Sequence, residues 1–390
     1  MQHRRGRLSA ATAAALTALT SAVLIGAAPS SPALAAEKCE AESRTTPLSH
    51  VPWPLQRLQP ERVWPLTRGA GVKVAVIDSG VGEHPLLAGK VKAVDMAGDK
   101  LGARCDLASH GTIVAGIIAA SDTESSPFHG LAPDATILSY RVIQDMERSS
   151  SQDSTKPIVD AIRLAVQDGA DVINLSLTAI ATPALEQAIQ YAYDHDVVVV
   201  AAAGNSGVQG AKEYPAAYET VIAVAGLSPT GTHVDTSSVR PYVDIAAPGE
   251  QIDGPAPAGG GFGRLSEGGT SFAAPYVSAT AALLRSYYPG MKPDEVAKRI
   301  TATATHPAEG WNPLVGWGEI DPYRAVTTVM PTTQESRSAQ PAVAPAEQTD
   351  PGATARGRAL ALTGAAAGVV GALLVVRFVV PRGRRRGWKA

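Results

Sequence analysis

In the stretch Gly268-Gly269-Thr270-Ser271-Phe272-Ala273-Ala274-Pro275-Tyr276-Val277 a Gly-rich turn gives way to a helix, and one hydroxyl, that of Ser271, stands at the junction. The residues that follow, 277–284, are small or apolar on every side, the pattern of a helix buried all round rather than of an amphipathic surface helix. Pro275 suits the first turn, where the N–H it lacks would have had no intrahelical partner. Free N–H groups at such an end favour negative charge on a reacting oxygen. Ser271 is therefore a candidate nucleophile. Taken alone, a Gly-Thr-Ser run describes an ordinary serine cap equally well, and the choice depends on the rest of the chain.

Working outward, residues 72–77 form a β-rich apolar run that stops at Asp78-Ser79-Gly80, at the carboxyl end of a strand, where α/β sheets place their sites. His110 heads an apolar helix over 110–118. Strands are predicted at 136–142, 172–177 and 221–225, and helices at 158–167, 185–193 and 293–303. A buried run from 197 ends at Ala202-Ala203-Gly204-Asn205. Alternating strands and helices indicate βαβ units, and continuous apolar runs indicate a parallel sheet covered on both faces. The predicted fold is α/β, three layers around a mostly parallel sheet, spanning residues 70–330.

Asp78, His110, Asn205 and Ser271 thus stand at the ends of four separate elements. Individually, a strand-end Asp reads as a turn residue and a helix-start His as a cap. Together they supply a nucleophile, a general base, an acid to orient it and an oxyanion donor, the parts of acyl transfer. An α/β-hydrolase elbow would need Gly-x-Ser-x-Gly and a serine ahead of its acid and base, whereas here Ala273 replaces the last glycine and the serine comes last. The eight histidines include no pair at metal-ligand spacing, and no cofactor is implied.

The order Asp, His, Ser, carried by Asp78-Ser79-Gly80, His110-Gly111-Thr112, Gly204-Asn205-Ser206-Gly207 and Gly269-Thr270-Ser271-Phe272-Ala273-Ala274-Pro275, closely resembles the subtilisin-like serine proteases. The resemblance implies that Ser271 attacks a peptide carbonyl, His110 takes its proton, Asp78 holds the imidazole, and Asn205 with the Ser271 N–H binds the oxyanion. It also implies a substrate pocket flanked by Ser176, Leu177, Ala202, Ala203 and Gly204. Where the family has two glycines after Ser-Leu, this chain has Thr178-Ala179. Pro52-Trp53-Pro54-Leu55 and Val63-Trp64-Pro65-Leu66 look like the mycosins, membrane-anchored subtilases of type VII (ESX) secretion systems. That likeness implies a secretion membrane complex as partner, alongside peptide or protein substrates. A scaffold holding such a complex together, with catalysis secondary, is the alternative reading.

The remaining segments fit an exported chain. A basic start, an apolar run and Ala33-Leu34-Ala35 read as a signal peptide over 1–35. Residues 36–69 read as an extended arm, and 331–357 as a proline-rich linker. The apolar run within 358–380 would span ~33 Å as a helix, enough for a bilayer. The basic tail 381–390 would then remain cytoplasmic, with the catalytic domain outside the cell. Gly364 and Gly368 would let another helix approach closely in lipid. Cys39 and Cys105, the only cysteines, read as a disulfide. A net charge of −2 argues against a nucleic-acid partner.

Overall fold

The computed structural model describes residues 39–41, 44–144, 152–265, 269–330, 353–374, 377–378 and 380–386. The chain divides into two units, one ending at Thr328 and one beginning at Val329. In the first, the strands are β1 (Lys73–Asp78), β2 (Val91–Asp95), β3 (Thr136–Arg141), β4 (Val172–Leu175), β5 (Val198–Ala202), β6 (Val221–Leu227) and β7 (Ile245–Pro248). They make a seven-stranded sheet in the order β2-β3-β1-β4-β5-β6-β7, with every pairing parallel. A separate antiparallel hairpin joins β8 (Ile252–Pro255) and β9 (Phe262–Leu265).

The helices in the same unit are α1 (Trp53–Leu58), α2 (His110–Ala119), α3 (Gln152–Gln167), α4 (Pro183–Asp194), α5 (Thr270–Tyr287), α6 (Pro293–Thr303) and α7 (Pro322–Thr327). Their placement explains the unbroken apolar strands. Val74 and Val76 face a core shared with α2 and α5, while Ala75 and Ile77, one residue out of step, face α3 and α4 on the other side. The predicted three layers are these two helical layers and the sheet between them. Connections run outward in both directions from β1, so the carboxyl ends of β1 and β4 flank a topological switch point.

Two expectations change. The arm is not extended throughout: Pro54 occupies the first turn of α1, where proline is tolerated, and Leu55 and Leu58 are buried in the core of the α2–α5 face, followed by Val63. Pro275 is the sixth residue of α5, not a first-turn residue, because the helix already begins at Thr270. Elements outside the expectations are β2, whose alternating Val-Lys-Ala-Val lies half exposed at the sheet edge, the short β7, the β8–β9 hairpin, and the short α7.

The second unit contains α8 (Ala353–Leu374) and α9 (Val380–Arg385). Among the described residues no helix is long and apolar enough to cross a membrane. Residues 375, 376 and 379 of the predicted span lie outside the described residues, as do the signal peptide and most of the linker.

Candidate active site

Four predicted residues come together at the carboxyl edge of the sheet. Asp78 closes β1 and is 1% exposed; His110 opens α2 and is 7% exposed. Their link is a 2.7 Å hydrogen bond between His110 Nδ1 and Asp78 Oδ1. With Nδ1–H donated to the carboxylate, the neutral ring carries its lone pair on Nε2. The contact depends on Gly111: a Cβ there would fall 2.1 Å from Gly80 O and stop α2 from approaching β1. The ring also lies 4.9 Å from that of Phe272, the residue after Ser271, so helix α5 braces the imidazole against its carboxylate.

A second buried carboxylate stands behind the first. Ser79 N donates to Asp78 Oδ1 at 2.7 Å, and Ser79 Oγ lies 2.8 Å from Asp106 Oδ1 while accepting from Gly111 N. Asp106 Oδ2 accepts from Thr112 N at 2.8 Å. Burial pushes the Asp106 carboxyl above its ordinary range, against hydrogen bonds from Thr112 and Ser79. Burial lowers His110, but the charge and hydrogen bond of Asp78, with Asp106 behind, more than offset this and hold the imidazole above its usual value. Asp106 gave no motif of its own; only its neighbour Cys105 drew notice, and Cys105 is bonded to Cys39, with Cα atoms 5.5 Å apart.

Ser271 is held from the opposite side. In a regular helix its carbonyl would accept from residue 275, but proline has no N–H to give. Ser176 Oγ donates to Ser271 O instead, at 2.6 Å. Asn174 Nδ2 in turn donates to Ser176 Oγ, and Ser278 Oγ to Asn174 Oδ1, a buried polar chain from β4 back into α5. Asn205 is clamped by Thr270, whose N–H reaches its Oδ1 at 3.0 Å and whose Oγ1 lies 3.1 Å away. With Oδ1 acting as acceptor, Nδ2 is left to donate, beside the free N–H groups that open α5.

Ser271 and Asn205 border a cavity of about 460 Å³ that Ser176, Leu177, Ala202 and Gly204 also line. Ala203 does not: strand alternation turns it the other way, into a small apolar cluster with Ala225, Leu227, Val243 and Ala246. Thr178 lines the cavity, and Ala179 pairs with Tyr214 as an isolated bridge. Glu213 was not foreseen on this wall. It precedes Tyr214-Pro215 in a loop whose composition gives no hint of its contacts.

This arrangement offers a hydroxyl at a helix start and amide donors around one cavity, and an oriented base packed against the residue after that hydroxyl, the equipment for acyl transfer. The subtilase family profile matches residues 69–318. Mycosin-4 of Mycobacterium tuberculosis is 39% identical over 311 residues, covering 69% of this chain and 67% of that protein. The crystal structure of MycP1 from Mycobacterium smegmatis matches with a TM-score of 0.65 and 30% identity, over 75% of this chain and 90% of that one. A chain in the periplasmic assembly of the ESX-5 inner membrane complex matches with a TM-score of 0.65 and 28% identity, over 80% and 92%. By profile, sequence and fold together, the chain belongs to the subtilase family of serine proteases and groups within it with the mycosins.

Proposed function

We propose that Ser271, His110 and Asp78 perform the family's peptide-bond hydrolysis in this chain. His110 Nε2 removes the Ser271 Oγ proton as the oxygen attacks the substrate carbonyl. Asn205 Nδ2 and the Ser271 N–H receive the negative charge on the carbonyl oxygen. The proton then passes to the leaving amine as the C–N bond breaks, and water, deprotonated by the same ring, releases the acyl group. Asp78 stabilises the imidazolium without itself being protonated. The observation that carries this reading is the buried 2.7 Å contact between His110 and Asp78, with the ring of Phe272, the residue after Ser271, packed against the imidazole.

We infer further that residues 1–35 direct export and that 358–380 anchor the chain, leaving the protease outside the cell. Leu362, Val369 and Leu373 of α8 are exposed apolar side chains of the kind a bilayer would cover. A secretion-complex role has one specific support, the likeness to a chain of the ESX-5 inner membrane assembly. That likeness favours a scaffold role as a second reading, compatible with the first.

Labelling, substitution and truncation address these readings. A fluorophosphonate probe on the full-length chain is expected to label Ser271, and Ser271→Ala to lower kcat about 10⁶-fold, the loss that subtilisin itself shows on removal of its nucleophile. A label on another serine would overturn the assignment. Truncation after residue 357 is expected to release labelled protein from the membrane fraction; retention would place the anchor elsewhere. A Ser271→Ala chain that still supports secretion would favour the scaffold.

A further inference from the structure

The cavity beside Ser271 has one acidic wall. Glu213 is half-buried, and its carboxylate rests on the backbone of Gly204 so closely that a Cβ there would fall 1.9 Å from Oε2. Oε1 accepts from Ser206 Oγ at 2.5 Å and from Ser238 Oγ at 2.7 Å. The Glu213 N–H donates to Tyr242 Oη at 3.1 Å, and that hydroxyl donates to Ala203 O. Backbone and side chain are both fixed, so the charge has a defined position.

Two cations lie near. Buried Arg240 donates to Ser206 Oγ, and its other four N–H groups go to the carbonyls of Gly207, Gln209, Ala211 and Val239. A guanidinium has five such donors, so Arg240 has none left for Glu213. Lys212 borders the cavity but is exposed, with its ammonium on a flexible stem in water. The carboxylate therefore faces the cavity with two hydroxyl partners on Oε1 and Oε2 turned towards Gly204.

We propose that Glu213 makes this cavity a subsite for a basic side chain, so that the enzyme favours peptides with Lys or Arg on the acyl side of the cleaved bond. The proposal rests on Ser271 as nucleophile and Asn205 as oxyanion donor, because those two positions fix the reacting carbonyl and hence the cavity its own side chain enters. A long basic side chain suits the lining. Its methylenes run along Leu177 and Ala202, and its cationic head meets the carboxylate beside Gly204. An acidic side chain meets like charge there. An apolar one covers the walls but desolvates the carboxylate without pairing it.

The test uses the full-length chain in detergent, titrated with a fluorophosphonate, and fluorogenic peptides differing only at the acyl residue: Arg, Lys, norleucine, Ala or Glu. Arg and Lys are expected to exceed norleucine in kcat/KM by about 10–100-fold, the range of a half-buried charged hydrogen bond. That ratio should shrink as salt is raised. Glu213→Gln is expected to bring the ratio within about threefold, whatever it does to the absolute rates, and Glu213→Arg to favour Glu. A flat wild-type profile, a preference for Ala (meaning that the carboxylate merely closes the cavity), or a basic preference that survives in Glu213→Gln would each overturn the proposal. The salt dependence of the wild-type ratio needs no variant, so a folding failure in either substitution leaves the proposal open to refutation. A chain that takes no label and cleaves nothing fails earlier, at Ser271, and takes this proposal with it. Normal labelling with a flat profile removes this proposal alone.

Discussion

At Thr270 a single hydroxyl joins two distant parts of the chain: its Oγ1 accepts from Gly204 N at 3.1 Å and lies 3.1 Å from Asn205 Oδ1. Thr270→Val keeps the shape and removes both contacts. It strands a buried N–H, so stability should fall by about 1–3 kcal/mol, and it loosens the amide that meets the oxyanion. Removing that amide outright in subtilisin costs 10²–10³ in kcat; loosening it should cost roughly tenfold, with KM little changed. Steady-state kinetics and a melting curve separate the effects, and an unchanged kcat beside a lowered Tm would reduce Thr270 to a structural role. The four residues Asp78, His110, Asn205 and Ser271 were legible because each stands at one end of a recognisable apolar pattern. The hydroxyl of Thr270, the carboxylates of Asp106 and Glu213, and the pairing of Ser176 with Ser271 arise only where separate segments meet, and no local pattern encodes them. Ala203 was misplaced for a local reason, since neighbours on a strand face opposite ways.

Among the elements, β7 illustrates how a half-buried carboxylate marks a junction. Asp244 precedes it, accepting from Ala223 N of β6 at 2.8 Å through Oδ2, while Trp317 N donates to its carbonyl. Burial raises its carboxyl to about 6, opposed by that hydrogen bond. A folded-state value above the unfolded one means that the stabilising share is complete below the unfolded value and is lost as pH rises through about 6. Asp244→Asn keeps an acceptor without the charge. It should be more stable than wild type by about 3 kcal/mol at pH 8, with the difference vanishing towards pH 4. Equal denaturant midpoints at both pH values would exclude the ionisation. Helices α2 and α5 and strands β1, β4, β5 and β6 were readable from long apolar runs. β7, β2 and the hairpin were not read as strands: β7 is four residues of Ile-Ala-Ala-Pro, β2 carries charge at an edge, and β8–β9 pair with each other rather than with the main sheet.

Over the whole first unit, the arm is held in two different ways. Its early part hangs on the Cys39–Cys105 bond and on backbone pairs to the hairpin, Gly261 N to Arg44 O at 2.7 Å and Phe262 N to Thr46 O at 3.1 Å. Its later part, α1 and the turn after it, fills the core with Leu55, Leu58 and Val63. Closing a loop with a sequence separation of 66 stabilises by about 4 kcal/mol in the chain-entropy account. Reduction should therefore lower Tm, and limited proteolysis of the reduced protein should cut before Val51 while sparing residues 53–66. Cleavage within 53–66 at the same rate would show that the arm leaves as one piece. The disulfide could be read from two cysteines in a chain whose first residues have the pattern of a signal peptide. The buried helix could not, because proline-rich, polar composition hides two leucines spaced three apart.

Arg240 stitches the loop that starts just after Asn205 and runs on to Glu213, so the amide at one end and the carboxylate at the other belong to one stiff body. Taste and tempo are then inherited together. A lineage that altered the acidic wall to accept a new side chain would also shift the donor that meets the oxyanion, so early variants would trade turnover for breadth. The less entangled route lies across the cavity at Thr178, which borders the space without holding Ser271 or Asn205 in place.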